Sequence, residues 1–190
     1  MSGQLPDRLE ALQETVCRIG ECVVIAGVGS AVFDMARLTE NAATVFPLDG
    51  AMGAAVSMGL GLALQRSDLE VVVVTGDGEL LMNVGSLATV ASAMPANLAI
   101  VCVDNQLYGL TGGQRTHTAT GTDLAKMGAG AGIPNTLTCR APEQFPEAVE
   151  MLRSAGPSLV VLKVGPEASA RYPVDRDASA CRVRFKEAIG

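Results

Sequence analysis

Tryptophan is absent from this chain, and its aromatic residues are four phenylalanines and two tyrosines. A core without large rings packs through small aliphatic side chains and close backbone approach, and a chain of this kind is expected to complete its buried surface against a partner. Basic charge is also scarce. Fourteen Lys and Arg face twenty Asp and Glu, for a net charge of −6 and a pI near 4.8. With no basic stripe to follow a phosphate backbone, nucleic acid is excluded as a partner. The five cysteines (Cys17, Cys22, Cys102, Cys139, Cys181) contain no CxxC pair. They are odd in number, three lie in apolar runs, and no signal peptide precedes them, so a reducing cytoplasm is expected, with the thiols as small core residues. Residues 84–103 carry no charge, yet Pro95 and Asn97 divide them and Asp77, Glu79 and Asp104 bracket them. A helix end followed by a strand is expected there, not a membrane span.

What the chain does have is a regular alternation of short β-branched runs and helical periodicities. Leu5–Ile19 repeats apolar residues at helical spacing, Glu21–Ala26 reads as a strand, and Gly27-Val28-Gly29-Ser30 is a glycine turn opening a helix to about Leu38. A strand over Ala43–Pro47, a small-residue helix over Met52–Leu64 and a doubly buried strand over Val71–Val74 follow. A helix over Leu80–Ala93 and a strand over Leu98–Val103 lead into a polar, glycine-rich loop at 105–122. Then come a helix over Asp123–Ala131, a strand over Thr136–Cys139, a helix over Glu143–Arg153 and a strand over Ser158–Val164. This order predicts one domain over residues 1–190, an α/β doubly wound parallel sheet with helices on both faces. Residues 166–190 form a C-terminal tail in which Val183–Ile189 is expected to dock as a short helix.

Two polar turns stand out because each follows a strand. Gly76-Asp77-Gly78 ends one apolar run and Asp104-Asn105 ends the next, which places Asp77 and Asn105 at carboxyl ends of strands, where open parallel sheets bind ligands. The glycines let the backbone turn sharply toward a phosphate while the Asp77 carboxylate stays free for a cation. With the Asn105 amide oxygen and the Leu107 carbonyl, three protein oxygens are available. Two diphosphate oxygens and a water would complete the near-octahedral shell that Mg²⁺ requires. Each motif taken alone is also an ordinary turn.

Gly76-Asp77-Gly78, the interval to Asn105, and Tyr108-Gly109 together resemble the diphosphate-binding domain of thiamin diphosphate enzymes. Ala26-Gly27-Val28-Gly29-Ser30 is similar to that family's diphosphate-receiving loop, and Gly50-Ala51-Met52-Gly53 to its Gly-x-hydrophobic-Gly segment. The resemblance covers residues 20–165. It implies a metal held by Asp77, Asn105 and the Leu107 carbonyl, a diphosphate met by backbone amides near Ser30, Glu79 and Gly109, and Met52 as the wedge that bends the cofactor. Thr111-Gly112-Gly113-Gln114-Arg115-Thr116-His117-Thr118 resembles sulfopyruvate decarboxylase β subunits and the matching half of phosphonopyruvate decarboxylases. On that resemblance Gln114, Arg115 and His117 would meet an anionic 2-oxo acid, and His117, the one histidine, could relay a proton. The same loop also reads as a solvent-exposed connection with an ordinary Arg and His.

Enzymes of this family use a glutamate carried by a pyrimidine-binding domain. The resemblance therefore implies an α subunit that brings this glutamate, with the cofactor at the interface of a homo- or hetero-oligomer. A carboligase subunit resembling acetolactate synthase and a noncatalytic scaffold are the alternatives. Gly27-Val28-Gly29-Ser30-Ala31-Val32 also begins like a dinucleotide fingerprint, but Val32 stands in place of its third glycine.

Overall fold

The computed structural model describes residues 5–167 and 170–190. Its frame is a six-stranded parallel sheet formed by β1 (Val23–Ala26), β2 (Val45–Pro47), β3 (Val71–Gly76), β4 (Leu98–Asp104), β7 (Asn135–Cys139) and β8 (Ser158–Lys163), in the order β2-β1-β3-β4-β8-β7. The helices are α1 (Arg8–Glu14), α2 (Ser30–Leu38), α3 (Ala55–Gln65), α4 (Asp77–Met82), α5 (Ser86–Ala93), α6 (Leu124–Ala131), α7 (Phe145–Leu152) and α8 (Ala178–Ile189). The doubly wound α/β sheet expected from the alternating pattern is the fold observed.

Successive residues of the central strands enter opposite cores, as the two-residue period of a strand requires. Val24, Val72, Val101 and Val160 pack with α1, α2 and α7, while Ile25, Val73, Ile100 and Val161 pack with α3, α5 and α6. Strand β3 and strand β4 are buried almost throughout, which is why they read as unbroken aliphatic runs. Small residues set the spacing between layers. A Cβ on Gly59 of α3 would lie 2.2 Å from Val73 Cγ2, and one on Gly128 of α6 would lie 2.6 Å from Leu159 Cδ2. Among the described residues no helix is long and apolar enough to cross a membrane.

Four local expectations are revised. The first helix stops at Glu14, where the Thr15 hydroxyl donates to the Ala11 carbonyl at 2.5 Å, and a 3₁₀ turn carries the chain on through Arg18. The helix expected over Leu80–Ala93 is two helices. The break falls at Asn83–Gly85, where the Asn83 amide donates to the Gly53 carbonyl at 3.0 Å, and α4 starts three residues early, at Asp77. Residues 105–122 are more than a loop: β5 (Leu107–Tyr108) and β6 (Gln114–Arg115) form a small antiparallel hairpin, followed by a 3₁₀ turn at His117–Thr120. The terminal helix α8 is longer than Val183–Ile189. Asp177 caps it, and Phe185 packs edge-on against Phe46 with ring centroids 5.5 Å apart.

Candidate functional site

Strand β1 pairs with β2 on one side and β3 on the other, so the chain winds outward in both directions from the β1–β3 pair. At this switch point the loops after the two strands splay apart and leave a crevice beyond their carboxyl ends. A cavity of about 290 Å³ lies there, lined by Val28–Ala31, Thr75–Glu79, Met52, Asn105, Leu107–Thr111, Val103 and Arg8. Two helices start at its wall. The N-cap of α2 is Gly29, at φ 89°, and that of α4 is Gly76, and neither has a side chain accepting from the exposed amides. Unfilled donors at a helix start favour an anion. The glycines also admit close packing, since a Cβ on Gly78 would stand 2.3 Å from the Tyr108 ring.

Asp77, the first residue of α4, is buried, and its Oδ2 accepts from the Thr116 hydroxyl at 2.5 Å. The Thr118 hydroxyl lies 3.0 Å from the same oxygen and 2.8 Å from Asp104 Oδ1. One hydroxyl proton serves one of these carboxylates at a time, so Asp77 and Asp104 compete for it. The other oxygen of Asp104 forms a buried ion pair with the Lys163 ammonium. Burial holds the Asp77 carboxyl above its ordinary value, the threonine donors pull it down, and the Asp104 charge raises it further. A cation at Oδ1 would relieve that cost. Asn105 Oδ1 accepts from the Leu107 amide at 3.2 Å and keeps a second lone pair, and the backbone between them turns through Gln106 at φ 65°.

Glu79 lines the cavity, and its carboxylate is enclosed behind the wall. It is buried beside Gly27, where a Cβ would lie 2.0 Å from Oε2, and it accepts from the Thr75 hydroxyl at 2.8 Å. Its Oε1 makes no hydrogen bond among the described residues, although the Val28, Gly53 and Gly76 amides lie near enough to favour its charge, and burial dominates in raising its pKa. A wall with acidic residues beside two uncapped helix starts has the chemistry to suit an anion together with a cation. No group of three His, Cys, Asp or Glu side chains among the described residues is arranged to hold a metal. A cation here would therefore draw on the single Asp77 carboxylate together with amide, carbonyl and ligand oxygens, the hard donors suited to Mg²⁺.

Gly29, Ser30, Met52, Gly76, Asp77, Gly78, Glu79, Asn105, Leu107, Tyr108 and Gly109 all line this one cavity. Gly50 does not, and instead turns the chain before Met52 at φ 85°. Gln114 and Arg115 lie outside it on the exposed hairpin, where the Arg115 guanidinium donates to the Ala119 carbonyl at 2.8 Å and Gln114 bonds to Thr111. His117 lines an open depression on the far side of Met52 and Tyr108, together with Met82 and Met127. Sequence reasoning overlooked Thr116, Thr118, Asp104, Lys163 and Arg8. A lysine closing the aliphatic strand Leu159–Leu162 was a usable signal for a buried ion pair. Arg8 gave none, because its place depends on how α1 docks.

Residues 27–162 match the model of the thiamine pyrophosphate enzyme C-terminal TPP binding domain. The chain belongs to that family. The resemblance read from the glycine motifs is thereby borne out. Among thiamine pyrophosphate enzymes, the chain is similar to the sulfopyruvate decarboxylase subunit beta of Methanocaldococcus jannaschii, with 33% identity over 97% of both chains. The subunit beta of Methanococcus maripaludis is 31% identical over 96% of this chain and 97% of its own. The phosphonopyruvate decarboxylase of Streptomyces viridochromogenes is 35% identical over 87% of this chain, which matches 41% of that longer protein. A putative thiamin diphosphate-dependent enzyme from Mycobacterium smegmatis shares the fold, with a TM-score of 0.64 at 21% identity over 84% of this chain and 31% of its own.

Proposed function

We propose that this chain is the β-type subunit of a split decarboxylase that uses thiamin diphosphate and Mg²⁺ to release CO₂ from a small anionic 2-oxo acid, sulfopyruvate foremost. The observation that carries this reading is the convergence of Asp77, Asn105, Leu107 and two uncapped helix starts in one cavity. End-to-end similarity to subunits named beta supports the split architecture and the substrate.

In this reading Asp77 Oδ1, Asn105 Oδ1 and the Leu107 carbonyl hold Mg²⁺. The amides around Ser30, Glu79 and Gly109 receive the diphosphate, with Gly29, Gly76, Gly78 and Tyr108 shaping its walls. Gly50 and Gly53 seat Met52, whose side chain stands between the cavity and the outer depression, where a wedge would set the bend of the cofactor. Thiamin diphosphate supplies the carbon nucleophile and the electron sink that side chains lack. His117, which lines the outer depression, would hold or move a proton near substrate, whereas Gln114 and Arg115 would act from the hairpin rim. The α subunit contributes the glutamate at the pyrimidine and covers the depression, and the pair works in the cytoplasm.

The phosphonopyruvate decarboxylase relatives favour phosphonopyruvate as the second substrate to examine. Sulfopyruvate supplied to the chain with its α partner should yield sulfoacetaldehyde and CO₂ in equal amounts. A condensed acyloin product with no free aldehyde would replace this reading with carboligation.

A further inference from the structure

The residues that line the cavity include two acidic ones, Asp77 and Glu79, and, among the described residues, one basic one, Arg8. Arg8 is 7% exposed, an unusual place for an arginine unless something holds it. Its Nε donates to Asp34 Oδ2 at 2.8 Å and its Nη1 to the Glu167 carbonyl at 3.1 Å. Asp34 lies one turn along α2 from Ser30, so the clamp fixes the guanidinium against the first turn of that helix, on the Gly29–Ser30 side. Nη2 has no partner among the described residues, and Arg8 is not among their fully enclosed unpaired polar groups. A planar guanidinium with two donors fixed and Nη2 unpaired among the described residues, on a residue that lines the cavity, is suited to a phosphoryl oxygen.

Resting on the cofactor reading above, we propose that Arg8 is a further diphosphate-binding residue, its free Nη2 donating to the diphosphate end of the cofactor. The location decides against the substrate as occupant. Arg8 lines the inner cavity beside the α2 start and is absent from the outer depression lined by Met52 and His117.

The test titrates inorganic pyrophosphate with Mg²⁺ into the full-length chain, in parallel with thiamin diphosphate titrated into the complex with the α partner. Arg8→Met should weaken both by roughly tenfold or more, as expected for loss of a charge-assisted hydrogen bond. Arg8→Lys, which keeps charge without the fork, should fall between. Asp34→Asn weakens the clamp to a neutral hydrogen bond but leaves the cation, so it should bind pyrophosphate more tightly than Arg8→Met and closer to wild type. If Arg8→Met fails to fold, the double variant Arg8→Met/Asp34→Leu replaces the buried pair with apolar volume and should show the same loss. Wild-type affinity in either Arg8→Met background overturns the proposal, as does an Asp34→Asn loss equal to that of Arg8→Met, which would mark the pair as structural. Failure of the wild-type complex to bind thiamin diphosphate would instead overturn the cofactor reading, and this proposal with it.

Discussion

At Asp77 a buried carboxylate is set against a second carboxylate, Asp104, with Thr118 between them. Its folded-state pKa is raised, so without a cation this group favours the fold most below the ordinary aspartate value and loses that contribution as pH rises through the raised value. Asp77→Asn should therefore abolish Mg²⁺-dependent binding of thiamin diphosphate while the free protein unfolds no lower than wild type at neutral pH. Unchanged cofactor affinity in calorimetry would remove Asp77 from the metal site. On the proposed metal site Mg²⁺ would bind the ionised form, which reverses the sign: the thermal shift produced by Mg²⁺ and thiamin diphosphate should shrink as pH is lowered from 8 toward the Asp77 titration. Lys163 has a different task. Lys163→Met leaves buried Asp104 without its counter-charge and should cost about 3–5 kcal/mol in denaturant unfolding, the range for breaking a buried pair.

At the scale of elements, close approach of helices to the sheet replaces aromatic packing. Gly59→Ala would force a Cβ against Val73 and should destabilise the fold by about 1–3 kcal/mol, read from denaturant midpoints, leaving cofactor affinity unchanged in what remains folded. A loss of affinity without loss of stability would mean that α3 positions the site more directly than its contacts show. The elements also show what could be read in advance. Strands β3 and β4 were legible because burial on both faces leaves an uninterrupted aliphatic run. The break between α4 and α5 was not, since Leu80–Ala93 keeps helical character and the interruption comes from the bond of Asn83 to Gly53, thirty residues away. The hairpin at 107–115 was missed because two-residue strands leave no periodicity. The cavity wall itself was largely legible, because Gly-Asp-Gly and Asp-Asn each follow a strand. Arg8 and Lys163 depend on tertiary docking and were not.

Over the whole molecule, exposed methionines gather beside the proposed site. Met52 is 40% exposed, Met82 66% and Met127 37%, and all three border the outer depression with His117. Methionines on an open surface suit a partner that repacks against them. This is the face on which the α subunit should settle, bringing the glutamate that this domain lacks in the reading proposed here. The measurement that tests the account most directly is calorimetric titration of thiamin diphosphate with Mg²⁺ into the chain alone and into the chain mixed with a pyrimidine-domain partner. Tight binding in the mixture, with weak binding to the chain alone, is the predicted result. Equally tight binding without the partner, or none in either case, would contradict it.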